Sequence, residues 1–119
     1  MPRLIPAPVS IPVPGGKTID EYVGVAATGD HAVSVAHMHA PPGWAEPPQT
    51  PSFTEVTVVL AGEMIIDADG GPYLVAAGQA IITMPGETVR YRAGAQGAQY
   101  VAVCLPAFTE QAARREEDT

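Results

Sequence analysis

From Phe53 onward the chain alternates short apolar runs with glycine-bearing breaks: FTEVTVVLAGEMIIDADGGPYLVAAGQAIITMPGETVRYRAGAQGAQYVAVCLPAF is interrupted at Ala61-Gly62, Asp69-Gly70-Gly71, Ala77-Gly78, Pro85-Gly86 and Gly94 to Gly97. Runs this short, rich in Val, Ile, Thr and Tyr and separated by turn residues at regular spacing, predict the strands of a sandwich or barrel. Upstream, residues 18–27 read as a strand, Thr28-Gly29-Asp30 as a turn, and residues 31–40 as a second strand. On that second strand Val33, Val35, His37 and His39 share one face at period two, and the valines lead to the expectation that the histidines face inward with them. Residues 41–52 form a proline-rich loop, long for a compact domain unless it has a task.

The ends differ in character. Residues 1–16 carry Pro2, Pro6, Pro8, Pro12 and Pro14, which remove ladder donors and favour an extended arm or an edge strand. Residues 109–119 alternate charge and predict one short helix that then frays. The division is therefore an arm over 1–16, one β-barrel over 17–108 and a charged tail over 109–119. A chain of 119 residues has length for one core.

Composition narrows the function. Hydrophobic residues make up 46% and charged residues 16%, so the chain can bury a core and should fold. A net charge of −7, with Arg114-Arg115 as its one adjacent basic pair, argues against nucleic acid as a partner. The single cysteine, Cys104, cannot form an internal disulfide, and prolines interrupt any signal-peptide core, so a cytoplasmic location is expected. No apolar run approaches the ~18 residues of a membrane-spanning helix, so no membrane partner is expected.

One spacing is specific. Gly43, WAEPP, Gln49-Thr50-Pro51, SFT, Glu55, VTVVLA and Gly62 follow one another without a gap. This resembles the first motif of the cupin superfamily: Gly, five residues, His-x-His, three or four residues, Glu, six residues, Gly. Gly78-QAIIT-Met84-Pro85-Gly86 and the following Val89-Arg90 resemble the second motif. The resemblance covers roughly residues 30–105. It implies an all-β fold, a single cupin barrel of the double-stranded β-helix or jelly-roll type, here with a short C-terminal helix, and it implies pairing into a homodimer. It also implies a metal site whose ligands are mostly replaced: Gln49 and Pro51 stand for the two histidines, Val89 or Arg90 for the third, and Glu55 alone remains.

Candidate chemistry follows from the remaining donors. Glu55, in phase with Thr57 and Val59, is expected inside the barrel, where burial raises a carboxyl pKa and suits it to acid–base work. His37 and His39 are expected beside it, as acid–base groups or, with Glu55, as ligands of one divalent metal ion. The cofactor expectation is accordingly none or one such ion. Trp44, Glu46 and Gln49 in the loop, with Tyr100, are candidate substrate contacts. Arg90 and Tyr91 point to opposite faces, so one or the other enters the barrel. The reading that follows is an enzyme moving protons on a small organic substrate, as an isomerase, cyclase, dehydratase or lyase. The alternatives are a non-catalytic ligand-binding or sensor cupin and, third, a metal-dependent dioxygenase.

Overall fold

The computed structural model describes residues 1–116, so the fraying expected of the tail's last three positions lies outside the described residues. Among the described residues there are strands β1 (Val9–Ile11), β2 (Thr18–Val23), β3 (Ser34–Ala40), β4 (Thr54–Asp67), β5 (Tyr73–Ala76), β6 (Ala80–Thr83) and β7 (Arg90–Leu105), and short helices α1 (Val25–Thr28) and α2 (Glu110–Ala113). All pairings are antiparallel, in the order β1-β2-β3-β7-β4-β5, with β6 on the other edge of the first half of β4. This is the all-β cupin barrel, the double-stranded β-helix, with the short C-terminal helix in place.

Two expected breaks are bends instead. β4 runs on through Ala61-Gly62, and β7 runs on through Gly94 to Gly97. Where they pair, the register shifts between Val59 and Ala61 and between Gly62 and Met64. Gly62 and Gly97 take φ of 73° and 75°, and a Cβ on Gly62 would collide with the Gly97 carbonyl. The glycines thus let two strands cross closely and bulge, turning each from one wall of the barrel into the next.

The strand expected over 18–27 ends at Val23. There the Glu21 carboxylate accepts from the Ala27 N–H at 2.9 Å and the Thr28 hydroxyl donates to the Gly24 carbonyl at 3.1 Å. These local bonds offer the backbone a turn in place of a ladder, and α1 is the result.

The core has two parts. Val59, Met64, Ile66, Val89, Tyr91 and Tyr100 pack in the larger one. Phe53, Cys104 and Ala113 form the smaller, where Phe53 and Phe108 meet edge to face at 5.8 Å. Tyr91 and Tyr100 of the larger part and Cys104 of the smaller line one common cavity.

Candidate functional site

Side-chain alternation builds the cavity. Lys17, Ile19 and Glu21 on β2 and its approach, Ser34, Ala36 and Met38 on β3, Glu55 on β4, and Tyr91, Tyr100, Ala102 and Cys104 on β7 all face one interior space of about 50 Å³. Across the ladders Ala36 pairs with Ala102 and Ser34 with Cys104. Small side chains directly opposite one another leave the interior unfilled, which is why a cavity exists where larger residues would have closed a core. The loop adds Glu46 and Gln49, and the segment after α2 adds Arg115. A broader groove of about 620 Å³ beside β5 and β6 is lined by the carboxylates Asp69 and Glu87 and by Tyr73, with no basic side chain among them.

Glu55 is 9% exposed as a residue, and its carboxyl is pushed up to about 7, first by burial and then by the nearby negative charge of Glu46, against the opposing pull of Lys17 and Arg115. Thr57 is placed to donate to it, at a long 3.5 Å. Burial also raises Glu46, which Arg115 reaches at 3.6 Å. Arg115 donates to the Gln49 side-chain oxygen at 3.2 Å and pairs with Glu110 at 3.2 Å. Lys17 is half-buried as a residue with its ammonium end enclosed, 4.2 Å from the centre of the Trp44 ring and 5.4 Å from that of Tyr100. Burial holds the Lys17 pKa below its ordinary value. The Tyr91 hydroxyl shares a hydrogen bond with Thr83 at 3.0 Å, and burial raises its pKa as it does those of Tyr100 and Cys104.

Of the residues singled out from the sequence, Glu55, Glu46, Gln49, Tyr91 and Tyr100 line this cavity. Trp44 stands behind Lys17. His37 and His39 are a correction: they lie on the outer face of β3, His39 exposed and His37 half-buried beside Asp20 and Val101. The inner face of that strand is Ser34, Ala36 and Met38, so the valine-bearing face points outward. Arg90 is a second correction: its side chain is 45% exposed, it donates to the Glu46 carbonyl at 3.2 Å from outside, and Tyr91 is the one that enters. Lys17 and Arg115 escaped the sequence reading. Lys17 is in period-two phase with Ile19 and Glu21, a signal that was present. Arg115 arrives by a fold-back of the tail, for which no periodicity exists.

The residues present do not fit a metal ion of the cupin kind. Among the described residues no group of three His, Cys, Asp or Glu side chains is arranged to hold one. His37, His39 and Glu55 cannot act together, because the barrel wall separates them. At the family's ligand positions Pro51 has no donor, Val89 is buried in the core, and the Gln49 oxygen is engaged by Arg115. A cation beside Glu55 would also face Lys17 and Arg115.

Residues 31–117 match the family described as the AraC-like ligand-binding domain, and the chain belongs to that family within the cupin superfamily. It is 46% identical over 107 residues to endoribonuclease YbeY of Myxococcus xanthus strain DK1622, a match covering 89% of this chain and 36% of that protein. The chain thus spans about a third of the length of the curated relative it matches. Among solved structures it is similar to PAC13 from Streptomyces with uridine (TM-score 0.75, 16% identity, 96% of this chain and 88% of that one). It is similar to an RmlC-like cupin from Shewanella frigidimarina (0.74, 15%, 87% and 88%). It is also similar to KdgF from a Halomonas species (0.72, 11%, 84% and 89%). At these identities the likeness concerns the fold alone.

Proposed function

We propose that this cupin is a small-molecule-binding domain whose cavity takes a polar organic ligand of a few heavy atoms and holds it against Lys17, Glu46 and Glu55. The observation that carries this is the gathering of those three ionisable side chains around one space inside an apolar barrel. Each costs stability to bury, and among the described residues neither Lys17 nor Glu55 has an ion-pair partner within 4.0 Å to offset that cost. A volume of about 50 Å³ admits only a few water-sized groups, far below the ~300–1,000 Å³ of a drug-sized site, so the ligand is small or displaces side chains of the loop. The test is a thermal-shift and NMR screen of small carboxylates, amines and carbonyl compounds. Saturable stabilisation that is lost in Glu46→Gln supports the reading; no response from any class sinks it.

A second reading, acid–base catalysis of the isomerase, cyclase, dehydratase or lyase type, is favoured by one feature, the Glu55 carboxyl poised near neutral pH. Under that reading Glu55→Gln lowers turnover on the order of a hundredfold or more, with the fold intact.

For longer proteins such as the Myxococcus relative, we propose that this chain corresponds to a ligand-binding module and not to the nuclease part. Its net charge of −7 and its interior carboxylates disfavour a phosphodiester backbone. We also propose a homodimer and, from the unpaired and buried Cys104, a reducing compartment such as the cytoplasm. Among the described residues no helix is long and apolar enough to cross a membrane.

A further inference from the structure

The chain contains one lysine in 119 residues, Lys17, and the fold turns it inward. Lysine is the side chain most at home in water and is almost never buried without a partner. Among the described residues, however, Lys17 makes no ion pair within 4.0 Å and no side-chain hydrogen bond. What holds it are the rings of Trp44 and Tyr100, whose centres lie 4.2 and 5.4 Å from its Nζ and which offer that nitrogen no acceptor. Glu55 lines the same cavity, with Glu46 and Gln49 of the loop.

We propose that Lys17 is a nucleophilic amine that condenses with a small aldehyde or 2-oxo acid in this cavity to form an imine. The Nζ lone pair forms the C–N bond to the carbonyl carbon as the C=O π pair moves to oxygen, which takes a proton from Glu55. The nitrogen returns a proton to the Glu55 carboxylate, giving a neutral carbinolamine. Glu55 then protonates the hydroxyl, the C–O bond breaks with loss of water, and the C=N bond forms. The last N–H proton restores Glu55, so the net change is amine plus carbonyl to imine plus water, without oxidant or reductant. Burial, which lowers the Lys17 pKa and so favours the free amine, and a cavity admitting only a few heavy atoms both favour this substrate class. The inference rests on the cavity being a ligand site, as argued above.

The experiment incubates the full chain with glyoxylate and sodium cyanoborohydride at pH 7 and locates the reduced adduct by peptide mass mapping. With a single lysine, any lysine adduct reports Lys17, and the Met1 amine is resolved on its own peptide. Lys17 is expected to label faster than Nα-acetyl-lysine amide in the same solution, because its lowered pKa leaves more of it as free amine and the cavity holds the carbonyl beside it. Glu55→Gln should slow the labelling, and Lys17→Arg, whose guanidinium stays protonated and is no nucleophile, should abolish it. Labelling no faster than the free lysine derivative overturns the proposal, and an unchanged rate in Glu55→Gln overturns the part given to Glu55. If unreactive small ligands still stabilise the protein while Lys17 fails to label, imine formation falls and the binding reading stands. If neither occurs, both fall.

Discussion

Glu55 carries the largest consequence at the scale of single residues. Its carboxyl titrates near 7 in the folded chain and near the ordinary 4.5 when unfolded, so between those values the native state holds a proton that the unfolded state has released. Stability is therefore highest at and below about pH 4.5 as far as this group is concerned and falls as pH rises through 7, by about 3 kcal/mol. Melting temperature followed from pH 5 to pH 8 should show that decline, and Glu55→Gln, which cannot ionise, should flatten it and melt higher than the parent at pH 8. The outer histidines give the opposite expectation. His39→Ala should change stability by no more than about 0.5 kcal/mol and leave ligand response untouched, because its side chain stands in solvent. The inward phase of Glu55 was legible from the alternation Glu55, Thr57, Val59. The histidines were misread because alternation separates two faces without saying which is inside, and on β3 the small residues, not the valines, line the interior. The same ambiguity left Arg90 and Tyr91 open until the barrel's closure set Tyr91 inward.

Among elements, β3 and β7 make the cavity by leaving it empty. Ala36 and Ala102 face each other across the ladder, 6% and 2% exposed. Ala102→Leu should fill the space, abolish ligand-induced stabilisation and cost about 1–3 kcal/mol through overcrowding, a change read by calorimetric melting with and without ligand. The segment after α2 is the second wall: Gln49 bridges to Arg115, the Thr50 N–H bonds the Arg114 carbonyl at 3.3 Å, and the Glu116 N–H bonds the Pro48 carbonyl at 2.8 Å. Arg115→Ala should cost about 1–3 kcal/mol by leaving the Glu46 carboxylate and the Gln49 oxygen without their donor, and urea denaturation measures it. The strands themselves could be read from their turn residues. The breaks at Ala61-Gly62 and Gly94 to Gly97 could not, because a glycine that ends a strand and a glycine that lets two strands cross leave the same mark on a sequence. The part of the tail that closes the site was hidden for another reason: its role comes from where it lands, not from any pattern along it.

For the molecule as a whole, the arm and the outer sheet face bear on assembly. β1 pairs with β2 of its own chain and puts Ile11 against the cavity, while Leu4 stays 88% exposed and Ile82 and Leu105 stand 62% and 46% exposed. Apolar surface of this kind gains from cover. If the proposed homodimer is tied by the arm, removing residues 1–14 shifts the mass measured by light scattering toward monomer and lowers stability; a dimer that survives the deletion is held by another face. The buried carboxyl also makes binding a proton-counting event. A ligand that enters beside Glu55 near pH 7 moves that equilibrium one way or the other, so the heat of binding in isothermal calorimetry will vary with the ionisation enthalpy of the buffer. A cationic ligand should drive protons out of the cavity and an anionic or apolar one should draw them in, so the sign of that buffer dependence reports the charge of a ligand before its identity is known.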